Sequence, residues 1–343
     1  MPSASKGFDP TVIDDKIATH AGLPWVHPWQ RSPLLKYQLK KSKSIEFTLP
    51  GPGPCRCCCF DGKYIWMGRE LTNDHIVRFD PADESYSYVE IVGMSDINAM
   101  CYDGSHVWFV DNQSPARYAK INPNTMAYTV WTLPTGYNKA RSTSFDETYV
   151  WIGLSLSPAK ALKINPADGS YTEYGFAAGE NNCRRSCFDG SHVWQTLSVS
   201  PGKVAKINPA DGSYTTYTFA AGENKPKSIC FDGSHVWVGL GTYPAKILKI
   251  NPADGSYTTY TLAADNDYAF SMCYDGHNIW NGLEGSGSRI VRMDPNNGAY
   301  NILSLPSGNS NIGDCVFDGR HVWFVPYCGI PKIDRIVAVG GSP

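Results

Sequence analysis

Short apolar runs alternate with polar turn clusters along most of this chain, and the alternation repeats itself. Segments such as KSICF, VWVGL and ILKI are punctuated by FDG and NPADG. Val, Ile, Trp and Tyr suit a pleated strand, whereas Asp-Gly and Asn-Pro supply the backbone angles of tight turns. One unit therefore reads as four strands: A over 227–231, B over 235–240, C over 245–251 and D over 257–262. No useful stretch inside the units carries the apolar period of a helix.

The unit recurs seven times. Trp66, Trp108, Trp151, Trp194, Trp237, Trp280 and Trp323 are spaced by 42 residues once and by 43 five times. Each closes a block of the type CFDGSHVW, and a second block of the type LKINPADGSYTTYTL follows all but the last. Four strands per repeat of about 40–45 residues is the sequence mark of a propeller blade. After Trp323 the chain offers only strands A to C, while KSIEFTLP at 43–50 resembles strand D. The predicted fold is all-β, a seven-bladed β-propeller of four-stranded antiparallel blades. Residues 44–49 should complete the last blade and seal two open edges.

Recurring side chains are expected to serve the scaffold. The seven Trp should fill the wedges between blades. Asp61, Asp103, Asp146, Asp189, Asp232, Asp275 and Asp318 recur in the A–B turn. Arg78, Lys120, Lys163, Lys206, Lys249, Arg292 and Arg335 recur near the end of strand C. Both sets fall at one edge of the sheet, so charge-assisted pairing between them is expected. A sevenfold phosphate-binding ring is the sharper alternative. His106, His192, His235 and His321 exchange with Tyr64, Tyr149 and Asn278, which suits hydrogen-bonded fillers better than metal ligands.

Charge and cysteine content narrow the partners. With 30 Lys and Arg against 32 Asp and Glu, the net charge of −2 gives no general support for nucleic-acid binding. No apolar run approaches the length of a membrane-spanning helix, and the first residues lack the apolar core of a signal peptide. A cytoplasmic or virion setting is expected. The 11 Cys show neither zinc-ribbon nor haem spacing. Cys59, Cys101, Cys187, Cys230 and Cys273 share one strand-A position that suits a small buried residue. Cys315 or Cys328 could form a closing disulfide with the Cys55–Cys58 run. No metal site and no cofactor is expected.

Function should sit where the repeats diverge, on the B–C and D–A loops. The B–C candidates are Arg69, Glu70, Asp111, Asn112, Tyr243 and Glu284. The D–A candidates are Glu180, Arg184, Arg185, Glu223, Asn224, Lys225, Asp265, Asp267 and Tyr268. Residues 1–42 lie outside the repeat, before the propeller of 43–343. Asp9-Pro10 is suited to opening a short helix. An extended aromatic arm carrying Trp25, Trp29, Leu34, Leu35 and Tyr37 then follows. Such a segment has no core of its own and needs a surface, on the propeller or on a neighbouring subunit.

The pattern FDG-x-x-[VI]-W followed by [KR]-[IM]-[ND]-P-x-[DN]-G resembles seven-bladed propellers of the streptogramin lyase-like and YncE-like group, over about residues 44–340. That resemblance implies the propeller and, for the lyases, a metal held near the axis by His and Glu. It also implies an acidic residue at the end of an aromatic-rich strand B. The matching positions here are Arg69, Asp111, Leu154, Leu197, Leu240, Leu283 and Pro326, of which Asp111 alone is acidic. The leading expectation is a non-enzymatic interaction or structural propeller, part of a larger assembly such as a virion decoration, tail or receptor-binding protein. Its partners would be proteins or identical subunits reached through the arm, with a surface glycan or receptor as a further candidate. A metal-assisted lyase or hydrolase and a glycan-binding lectin are the alternatives.

Overall fold

A computed structural model describes residues 44–49, 53–70, 75–263, 268–285, 287–305, 311–327 and 332–337. They form seven four-stranded antiparallel sheets, each a meander from strand A to strand D. In the seventh, strands A (Ile312–Phe317), B (His321–Pro326) and C (Lys332–Val337) are completed by Ser44–Thr48. Ser44 lies opposite Ile336 and Thr48 opposite Lys332, so the first strand closes the ring as the repeat count demands. Among the described residues no helix is long and apolar enough to cross a membrane.

Burial follows position in the blade. All five residues of Val236–Leu240, a B strand, are buried, as they are in Val193–Leu197 and Val150–Leu154. Strand B is covered on both faces, because each blade is packed between two others. Outermost D strands such as Tyr257–Thr261 keep the alternation of a half-solvated sheet. Gly239 shows how tightly blades approach: a Cβ there would lie 2.3 Å from Ser228 Oγ and 2.8 Å from Ala269 Cβ of the next blade.

The seven Trp fill the wedges as predicted. Trp237 is fully buried in a cluster with Ile279, Val291 and Met293 of the following blade. Trp323 packs in the same way on Ile65, Val77 and Phe79 of the first blade. Strand D adds a second ring: Tyr217 stacks on Trp194 at 5.8 Å and Tyr260 on Trp237 at 5.9 Å.

The expected Asp–Lys/Arg pairing is corrected. Asp232 Oδ2 accepts the indole N–H of Trp237 at 2.7 Å, and Oδ1 accepts the backbone N–H of Ser234 and His235 at 2.8 and 2.6 Å. All seven turn aspartates bond their own Trp at 2.6–2.7 Å. The strand-C cations reach instead to the next blade, Lys206 Nζ to Pro252 O at 2.8 Å and Lys249 Nζ to Pro295 O at 2.8 Å. Arg78, Lys120 and Lys163 repeat this bond. Being already engaged, these cations do not form the sevenfold phosphate ring considered above.

The ten described cysteines are free thiols, so the closing disulfide is not formed by Cys315 with Cys55, Cys57 or Cys58; Cys328 lies outside the described residues. Burial pushes the thiols of Cys57, Cys58, Cys59, Cys183, Cys187 and Cys230 up, and that of Cys101 to about 12.

Candidate functional site

Strand A starts irregularly in every blade. The ladder between strands A and B shifts register after the first residue of strand A, between Cys55 and Cys57, Ile97 and Ala99, Ala140 and Ser142, Cys183 and Ser186, Pro226 and Ser228, Ala269 and Ser271, and Ile312 and Asp314. A bulge of this kind inserts a residue and re-aims its side chain. Six of the residues so placed are Arg56, Asn98, Arg141, Lys227, Phe270 and Gly313, and in the wider irregularity of blade four Arg184 and Arg185 fall together. Two residues further along each strand, Cys58, Met100, Thr143, Ser186, Ile229, Met272 and Cys315 line an axial cavity of about 160 Å³. The bulges therefore set five cations at one mouth of the axis.

The rim that holds them is built from backbone. Asp96, Lys139, Asn182 and Lys225, each just before a strand A, have φ values of 53–60°. That left-handed conformation is unusual for residues with a Cβ and persists where neighbours fix it. Lys225 N–H donates to Val199 O at 2.8 Å while its carbonyl accepts Gly241 N–H at 2.8 Å. Asn182 and Lys139 make the same two bonds, so D–A loops are stapled to the B–C loops of two blades.

Acidic partners are distributed unevenly among the five cations. Arg56 pairs with Glu70 at 3.1 Å and Asp96 at 3.7 Å, and its guanidinium lies 4.9 Å from the Tyr327 ring. Lys227 pairs with Glu284 at 2.5 Å and faces Tyr268 and Phe270 at 4.6 and 5.1 Å. Arg141 Nε donates to the amide oxygen of Asn112, at 2.8 Å. Arg185 Nη1 donates to Arg141 O at 3.0 Å and to Arg184 O at 3.3 Å. The Arg184 guanidinium has the Phe270 ring at 5.2 Å and no carboxylate partner among the described residues. Burial, then the charges of Arg185, Arg141 and Arg56, draw it down to about 9, against the pull of Glu284. Arg141 is lowered by burial and by Arg56 and Arg185, against the pull of Asp96. Asp314 lines the cavity, accepts Cys58 N–H at 3.1 Å and is raised by burial, with Arg185 opposing.

Several sequence candidates are buried or bonded within the scaffold. Glu223, 6% exposed, accepts Ala220 N–H, the Tyr257 hydroxyl and the Thr259 hydroxyl at 3.1, 2.9 and 2.7 Å. Glu180 does the same for Ala177 N–H and Tyr214. Asp111 is fully buried and accepts Arg117 N–H at 2.7 Å; burial lifts its carboxyl to about 6. Arg69 is buried at the end of its strand. Arg184, Arg185 and Tyr268 belong to A strands rather than to loops. Tyr243 is 65% exposed on its B–C loop, Asn224 is half-buried and Lys225 is exposed. Asp265, Asp267 and the arm residues Trp25, Trp29, Leu34, Leu35 and Tyr37 lie outside the described residues.

Arg56, Arg141 and Lys227 escaped the sequence reading, which looked for function in loops. Aligning the second position of strand A across the repeats would have exposed them. Among the described residues, no group of three or more His, Cys, Asp and Glu side chains is placed to hold a metal ion.

No protein-family model matches the chain, and no curated protein matches it in sequence. Solved structures do. A catalytically inactive histidine-to-alanine variant of virginiamycin B lyase from Staphylococcus aureus, with quinupristin, superposes with a TM-score of 0.75 at 17% identity, covering 87% of this chain and 99% of that one. A chain of the mitotic checkpoint complex gives 0.70 at 10% identity over 86% and 91%. The WD40 repeats of RRP9 give 0.70 at 9% over 85% and 97%. At these identities the likeness is one of fold: the chain is a seven-bladed propeller similar to that of virginiamycin B lyase.

Proposed function

We propose that this protein is a non-enzymatic interaction propeller that seats a protein partner on the face where the A strands begin. The supporting observation is the ring of bulges. It sets unlike side chains around one mouth of a scaffold whose opposite face is uniform and internally bonded. Propeller chains that belong to assemblies, among them one in the mitotic checkpoint complex, make this use of the fold plausible by analogy.

The finer reading is a subunit of a larger assembly, such as a virion decoration, tail or receptor-binding protein, joined to its neighbours by the arm of residues 1–42. Light scattering tests it on the full chain, on residues 43–343 and on a Tyr243→Arg variant. The full chain should run as an oligomer, and both changes should lower its mass. Equal single-chain masses for all three would overturn the assembly reading. The lyase reading takes over if a stoichiometric divalent ion accompanies turnover of a streptogramin, and a glycan array checks the lectin.

A further inference from the structure

We infer that the axial mouth binds one tetrahedral oxyanion, a phosphate or sulfate group, at the cluster of Arg141, Arg184 and Arg185. This rests on the proposed use of the mouth as a binding face and names the chemistry of what enters it. Arg141, Arg184 and Arg185 are held together there, the Arg185 guanidinium on the carbonyls of the other two. Like charges brought together away from water are unfavourable unless something of opposite sign joins them. Asp314 is the one acid lining the cavity, beside Arg185, and the acids that act on Arg141 and Arg184, Asp96 and Glu284, are paired with Arg56 and Lys227, so the arginine cluster keeps an excess of positive charge.

The layer beneath agrees with the charge. Thr143 and Ser186 follow Arg141 and Arg184 by two residues and line the cavity. Ser186 Oγ and, in blade six, the cavity-lining Ser271 Oγ are buried without a hydrogen-bond partner, while the Thr143 hydroxyl bonds the Cys101 thiol. The other blades place Cys, Met or Ile at this level. Unbonded hydroxyls beneath the arginines are what a tetrahedral oxyanion would satisfy: guanidiniums on the outer oxygens, hydroxyls on the inner ones. A cavity of about 160 Å³ has the space of about five waters, enough for such an ion and a little solvent.

Titration calorimetry on the full chain, at fixed ionic strength, tests this with inorganic phosphate, inorganic sulfate, phenyl phosphate and acetate. Phosphate and sulfate should bind saturably at one site, and acetate at least about tenfold more weakly. Tighter binding of phenyl phosphate than of phosphate would mark the natural ligand as a monoester whose ring reaches Phe270; equal binding would mark a free ion. Arg141→Met/Arg184→Met should abolish the signal and Ser186→Ala should weaken it about threefold, both with an unchanged circular dichroism spectrum. Absence of saturable phosphate and sulfate binding, acetate binding as tight as phosphate, or full binding by the double variant would overturn the assignment. Because the probes are small ions added to the isolated chain, this failure is separable from loss of the partner-binding reading, which is measured by mass.

Discussion

The two faces of this propeller carry similar residue types and use them in opposite ways. On the face of the A–B and C–D turns, the seven turn aspartates and five of the strand-C cations repeat from blade to blade with a bonded partner: Asp to indole, Lys or Arg to the carbonyl of the next blade. On the face where strands A begin, the bulge side chains vary among Arg, Asn, Lys, Phe and Gly, and Arg141 and Arg184 have no carboxylate partner among the described residues. Repetition marks groups that hold sheets together, since each blade poses the same packing problem. Irregularity on a rigid rim marks groups free to meet something else.

The strongest way to break this contrast is at Trp237. Trp237→Ala removes a fully buried side chain from the wedge between two blades and should destabilise by about 3–5 kcal/mol. Tyr243→Ala, on the opposite face and 65% exposed, should change stability by less than about 0.5 kcal/mol. Thermal melts of the two variants decide it, and comparable losses would mean that the faces are not divided as described.

Asp111 sharpens the contrast from the other side, as a mouth-face acid absorbed into the scaffold. Its carboxyl is lifted from 3.8 to about 6, so the folded chain holds a proton there that the unfolded chain has released. Its contribution to stability is therefore full below pH 4 and falls as the pH rises to about 6. Asp111→Asn should remove that dependence. Relative to the parent, the variant should gain on the order of 2–3 kcal/mol between pH 4 and pH 7. Melts across that range check it; a constant difference would show that Asp111 does not titrate as its burial requires.

The scaffold was legible because it repeats. Trp at intervals of 42 and 43 gave blade number, and the missing last strand located Ser44–Thr48. The Asp–Trp bond was not legible, since both partners also recur beside basic residues and periodicity alone cannot choose between them. At the site, Arg184 and Arg185 were found as exceptions within a repeat, but assigned to a loop. Arg56, Arg141 and Lys227 were hidden because a bulge leaves no mark in composition and turns strand residues toward the axis. Glu180 and Glu223 misled for the converse reason: an acidic loop residue looks the same in sequence whether it meets solvent or caps its own turn.

The smallest expected effect is also the most direct comparison, one substitution made on each face. Lys206→Met keeps an apolar stem over Trp194 but leaves the Pro252 carbonyl without its donor, and should cost about 1 kcal/mol. Arg184→Met makes the same change, cation to thioether, where the charge is crowded by Arg185, Arg141 and Arg56. Replacing such a charge with an apolar group of similar length should stabilise by up to about 1 kcal/mol in the absence of ligand. Melting temperatures should thus move in opposite directions for one chemical change. Phosphate should raise the parent and the Lys206 variant but leave the Arg184 variant behind, because stabilisation by ligand requires a site that binds it. A fall for both variants would place Arg184 with the bonded cations of the turn face and remove the physical distinction between the two ends of the axis.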